Sequence, residues 1–446
     1  MKLALKTALL LALLGLAVPH ARADVTVLLE EPYSYDGAFA GTGHSAVYLT
    51  RVCAASPTQL RRCQPGESGV VLSRYHRLGE YDWIAIPLLP YLYAVDKPED
   101  IPLFADAKIV ASMRDHFRRN YLESVAPDEP SGETPGGNWY ELVGSAYDRT
   151  LYGYQLETSE QQDDAFIAAY NSQTNREAYK FLTRNCADFV REAVNFYYPK
   201  AVGRSWIADF GVATPKHAAK SLVRYGKRHP ELQFSSFVIP QVPGTIKRST
   251  PIHGGVDSVF KAKKYELPLL VFQPFVAGGF AVAYIAGGRF NPAKGALVFD
   301  PYGNLDHPLT AEERRSYSKG LEEWLRAEPG SAPENARASW KEFASSAQLQ
   351  HDASDGPILL ADFDGKEVRV GLARGNVLTT PAPAELLRAL LLAHLQEELR
   401  SKSAAKISDA QLRADWRLLQ TVIPPRPESV AARVEIAKRT RLDGTD

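Results

Sequence analysis

The chain has 446 residues, of which 45% are hydrophobic, 23% charged and 10% aromatic, a composition that excludes a collagen, a disordered tail and a multi-span membrane protein. Lysine plus arginine and aspartate plus glutamate each total 52, so no basic excess points to nucleic acid. The length suffices for two or three domains with real cores.

Residues 1–23 have the pattern of a secretory signal peptide. Lys2 and Lys6 form a short positive region, Ala8 to Val18 is apolar and uncharged, and Ala21-Arg22-Ala23 supplies a small-x-small cleavage pattern. Cleavage there makes Asp24 the first mature residue and leaves 49 basic against 52 acidic side chains. The apolar run is too short for an ordinary membrane span. A secreted or periplasmic protein is expected.

Val25 to Leu29 is a short β-type run, and His44-Ser-Ala-Val-Tyr-Leu-Thr alternates as a strand does, entered through Gly41-Thr-Gly43. Cys53 and Cys63 follow, with Pro57, Pro65 and Gly66 marking their segment as a loop. In an exported chain a disulfide between them is expected. Two unpaired surface thiols are the alternative, and no CxxC or paired histidines favour a metal. Val70 to Leu72 and Trp83 to Ile86 are the next strands. Residues 103–122 show helical spacing, and Ala126 to Asn138 form a long Pro/Gly-rich loop. Thr150 to Leu156 is strand-like, and Ser159 with Gln162 resembles a capping box that opens a helix through Tyr170. A helix from Asn185 to Tyr198 ends at Pro199. Thr214 and Pro215 then start a basic helix to about Arg228.

Pro240, Pro243 and Gly244 suggest a boundary, dividing the mature chain into residues 24–240 and 245–446. Leu267 to Gly288 carries no charge, but Pro268, Gln273, Pro274, Gly278 and Gly279 break it, which suits two buried strands better than a span. Strands at 297–301, 357–363 and 367–372 and helices at 310–327, 383–400 and 408–420 make the second half α+β, without a motif that carries chemistry.

Chemistry concentrates at Asn185-Cys186-Ala-Asp188-Phe-Val. Asn185 suits an N-cap and Asp188 its reciprocal partner, so Cys186 falls in the first helical turn. Unpaired N–H groups and the positive dipole end there lower a thiol pKa and would hold an oxyanion. Alone, such a cysteine is more often a small buried residue. His44, at a strand start behind a glycine-bracketed turn, supplies the imidazole that a thiol nucleophile needs.

Gly43-His44-Ser-Ala-Val-Tyr-Leu followed much later by Asn185-Cys186-Ala-Asp-Phe-Val resembles the circularly permuted papain-like (NlpC-type) superfamily. That group includes lecithin:retinol acyltransferase and bacterial cell-wall amidases. The resemblance covers about residues 25–230 and implies an α+β fold, an antiparallel sheet packed on helices, with Cys186 as nucleophile and His44 as base. It also implies a third polar residue on the strand beside His44, near Val70 to His76. The register points to Ser73, with His76 the stronger orienting group but further along. No cofactor or metal is implied.

A secreted cysteine hydrolase acting on amides, with peptidoglycan stem peptides as its substrate class, is the leading expectation. A lipid acyltransferase or thioesterase is the second, with Trp139, Tyr140, Tyr147, Tyr152 and Tyr154 lining an apolar cleft. A papain-like binding module without turnover is the third. Thiol reactivity separates enzyme from binder.

Overall fold

The structure, a computed structural model, describes residues 24–255 apart from 34–39, 77, 79, 103–104, 207–208 and 245. Beyond 255 it describes 290–301, 305–327, 346–352, 356–363, 366–371 and 408–422, with a few single positions between. The expected signal segment and the expected helix at 383–400 lie outside the described residues, as does most of 267–288. Within that last stretch Phe275, Gly278, Gly279 and Val282 are helical rather than extended. A short apolar run does not by its periodicity distinguish buried strand from helix.

The chain is mixed α+β. Strands β1 (Asp24–Glu30) and β2 (His44–Leu49) lead into a hairpin, β3 (Val52–Ser56) and β4 (Gln59–Arg62), then β5 (Val70–Ser73) and β6 (Ile84–Pro87). Helices α1 (Leu88–Tyr93), α2 (Ala107–Tyr121) and α3 (Ser145–Asp148) precede β7 (Leu151–Glu157). Next come α4 (Glu160–Asn171), α5 (Cys186–Tyr197), α6 (Pro215–Arg228) and β8 (Ser235–Ile239). The second half supplies β9 (Leu297–Phe299), β10 (Leu305–Asp306), α7 (Ala311–Ala327), β11 (Gln348–Asp352), β12 (Gly356–Phe363), β13 (Lys366–Gly371) and α8 (Asp409–Val422).

Eight strands form one sheet in the order β10-β9-β8-β7-β1-β2-β5-β6. Every pairing is antiparallel except β8 with β9, so the sheet is mixed rather than purely antiparallel. It also takes strands from both sides of residues 240–244. Strand β1, central in the sheet, is buried along its whole length because both faces are covered. Alternation sends Val25, Val27 and Leu29 with Val47 and Leu49 to a core shared with Phe189, Val190 and Val194 of α5 and Leu222 of α6. Leu28, Ala46, Tyr48 and Val71 face the opposite core, with Tyr91 of α1, Met113 of α2 and Tyr147 of α3.

The Cys53–Cys63 disulfide is present, with Cα atoms 4.9 Å apart. Its segment is a two-stranded hairpin rather than the expected loop, since Pro57 and Thr58 confine the turn to its tip. The hairpin is fastened to α4: Arg62 meets Asp164 at 2.5 Å, and the N–H of Leu60 donates to Asn171 Oδ1 at 2.9 Å. Ser159 and Gln162 form the expected capping box on α4. No helix among the described residues is long and apolar enough to cross a membrane.

Candidate active site

Helix α5 begins as its sequence dictates. Asn185 Oδ1 accepts from the N–H groups of Ala187 at 2.9 Å and Asp188 at 3.0 Å, and Asp188 Oδ2 accepts from Asn185 N–H at 3.3 Å. This reciprocal cap places Cys186 at the first helical position. The Asn185 amide also donates to the carbonyls of Phe181 at 2.9 Å and Ala213 at 3.0 Å, tying two loops to the helix start. Asp188 is fully buried and pairs with Arg204.

A second anchor comes from the end of β5. Arg74 is buried, contacts the Asn185 carbonyl at 3.3 Å, pairs with Asp82 at 2.7 Å and Glu192 at 3.1 Å, and lies over the Phe189 ring. Arg184 reaches the same Asp82 at 2.7 Å. Buried guanidinium and carboxylate are therefore matched, which the cost of burying either alone requires.

Cys186 is buried against β2, where the N–H and hydroxyl of Ser45 and the N–H of Ala187 face its sulfur. The Ser45 hydroxyl lies on that side without a hydrogen-bond partner in proper alignment. Burial pushes the thiol pKa up; the Ser45 and Ala187 donors pull it back, and Glu30 raises it further. The expected lowering at the helix start is thus corrected: loss of water outweighs the N–H groups and dipole.

His44 starts β2 and is buried. Alternation puts its side chain on the Ala46 face, opposite Ser45, and its ring stacks on Tyr75 with centroids 4.1 Å apart. Nε2 has no hydrogen-bond partner among the described residues, the Cys186 sulfur included. Burial, and then the Arg149 guanidinium, hold its pKa well below the ordinary imidazole range, so the ring is neutral. The structure thus sets the His44 ring on the face of β2 away from Ser45, the residue that faces the Cys186 sulfur, and among the described residues no hydrogen bond joins Nε2 to the thiol, so the expected meeting of His44 with Cys186 is not seen.

Ser73 ends β5 with its side chain fully buried and its hydroxyl unpartnered among the described residues. Continuing the pairing of Val47 with Leu72 sets Ser73 opposite Ala46 and Tyr75 opposite His44. Tyr75, not Ser73, is therefore the group against the imidazole, and it meets the ring face. His76 lies edge-on to Tyr179 instead. The Tyr75 hydroxyl donates to the Glu141 carbonyl at 2.9 Å.

Behind His44 lies a buried polar cluster that the sequence analysis did not single out. Glu30, which pairs with His44 across the strands, accepts from Tyr91 and sits 3.3 Å from Arg149, an ion pair without hydrogen-bond alignment. Burial raises the Glu30 pKa against the opposing pull of Arg149 and Tyr91. The available signal was a glutamate ending an otherwise apolar central strand. Among the described residues, Cys53, Cys63 and Glu67 alone have metal-ligand proximity, and their two sulfurs form the disulfide.

No protein-family model, curated protein or solved structure matches the chain.

Proposed function

We propose that the protein is an exported cysteine hydrolase of permuted papain-like type, cleaving amide bonds through a thioester on Cys186, with peptidoglycan stem peptides as its substrate class. The observation that carries this reading is the convergence of the Ser45 and Ala187 N–H groups on a sulfur at a capped helix start. The Ser45 donors would hold the oxyanion of a tetrahedral intermediate, the Ala187 N–H being already committed to Asn185 Oδ1. In this reading the start of β2 rearranges to carry the imidazole from the Tyr75 face to the sulfur, where Nε2 takes the thiol proton. The thiolate then adds to the amide carbonyl, the imidazolium returns the proton to the leaving amine, and the C–N bond breaks. Water, deprotonated by the same imidazole, hydrolyses the thioester and restores the thiol.

The burial-raised thiol and the stacked imidazole favour a second reading, a papain-like scaffold that binds without turnover. Digestion of purified peptidoglycan separates the two. The hydrolase releases new amino and carboxyl termini, and Cys186→Ala abolishes the release. No release by the wild type leaves the binding reading.

A further inference from the structure

The two loops that Asn185 ties to the start of α5 carry exposed apolar side chains. Trp206 is 77% exposed, Leu182 59%, Phe210 55% and Phe181 47%. They are held in place: Asn185 bonds the carbonyls of Phe181 and Ala213, Arg204 reaches the Thr183 carbonyl, and the Trp206 ring packs over Gly211, whose φ of +78° leaves no room for a Cβ. Side chains of this size exposed on tethered loops, around one helix start, form a patch rather than scattered surface residues.

Basic charge predominates beside the patch, where Glu177, the exposed carboxylate on the Lys180 loop, is paired with Arg184. Helix α6 leaves it directly through Thr214, and between Pro215 and Arg228 it carries Lys216, Lys220, Arg224, Lys227 and Arg228 and no carboxylate. Ala218, Ala219 and Leu222 are buried, whereas Arg224, Lys227 and Arg228 are exposed. Lys180, exposed, adds a cation on the other loop. Trp and Phe at the tip with lysine and arginine alongside are the side chains that partition into the headgroup layer of an anionic bilayer.

We propose that this face docks the protein peripherally on an anionic membrane surface, turning the Cys186 helix start toward the lipid. Docking does not depend on the chemistry proposed for Cys186. Co-sedimentation of the purified chain with sucrose-loaded vesicles tests it, comparing phosphatidylcholine alone with phosphatidylcholine containing phosphatidylglycerol. Binding to the anionic vesicles alone is expected, falling as salt rises. Leu182→Ser with Trp206→Ser should weaken it roughly tenfold, and so should Arg224→Glu with Lys227→Glu. Because Trp206 packs on Gly211, Leu182→Ser alone serves as a variant that leaves the loop intact, and it should still bind more weakly than wild type. Cys186→Ala should bind as wild type does, whatever becomes of activity. Equal sedimentation with neutral and anionic vesicles, undiminished binding by folded variants, or binding to peptidoglycan sacculi and to no vesicle overturns the proposal.

Discussion

A buried imidazole with an unpaired nitrogen makes the molecule sensitive to acid. His44 stays neutral in the fold because burial and Arg149 oppose its protonation, whereas in the unfolded chain it protonates at about 6.5. The unfolded state therefore binds more protons below that pH, and stability falls on acidification by up to about 1.4 kcal/mol per pH unit from this residue. His44→Gln should flatten that limb, as urea unfolding between pH 7 and 5 would read; an unchanged slope would mean that the imidazole protonates freely in the fold. The residue types at the site were legible in the sequence: a cysteine after an N-cap, and a histidine opening a strand. Their relations were not. The placement of Tyr75 rather than Ser73 against His44 depends on the register between β2 and β5, which no local pattern sets because the hairpin β3–β4 intervenes. Glu30 and Arg149 meet across β1 and the entry to β7, and neither segment advertises the other.

At the scale of elements, local chemistry carried further. Caps at Ser159, Asn185 and Thr214 set the starts of α4, α5 and α6 as their sequences indicate, since an N-cap is decided within four residues. Asn185→Ala should destabilise the protein by about 1–2 kcal/mol from the cap alone. It should also raise protease cleavage within 178–184 and 204–213, whose carbonyls lose their tie to the helix. Cleavage unchanged from wild type would show that the loops are held by other means. Replacing both cysteines of the hairpin, Cys53→Ser with Cys63→Ser, should cost roughly 2–3 kcal/mol by chemical denaturation. The hairpin should nonetheless remain docked on α4 through Arg62 and Asp164, with amide exchange slow at Leu60. Where one apolar run admits two conformations, as at 267–288, local pattern ran out.

At the scale of the molecule, the sheet is assembled from distant pieces of chain. Strand β9 pairs in parallel with β8 across more than the expected boundary, and the carbonyl of Pro243 accepts from Ala105 N–H at 2.7 Å. Composition marks Pro240–Gly244 as a break, but proline also suits a chain leaving a strand, and the pairing of β8 with β9 is invisible until both are placed. A chain ending at residue 250 should lose β9 and β10 and leave the β8 edge bare. We expect it to self-associate, visible as a concentration-dependent sedimentation coefficient. A monomer with the thermal stability of the full chain would show that residues 24–250 form a self-sufficient unit.

The claim that Cys186 is a nucleophile rests on a sulfur that burial keeps protonated at neutral pH. The most direct test is labelling by a thiol-reactive electrophile across pH 6 to 10, with peptide mapping of the modified site. A single adduct on Cys186 is expected, absent in Cys186→Ala, forming faster as pH rises and at least tenfold more slowly in His44→Ala near neutral pH. A Cys186 that stays unlabelled in the folded protein throughout that range, or that labels equally fast without His44, would contradict it.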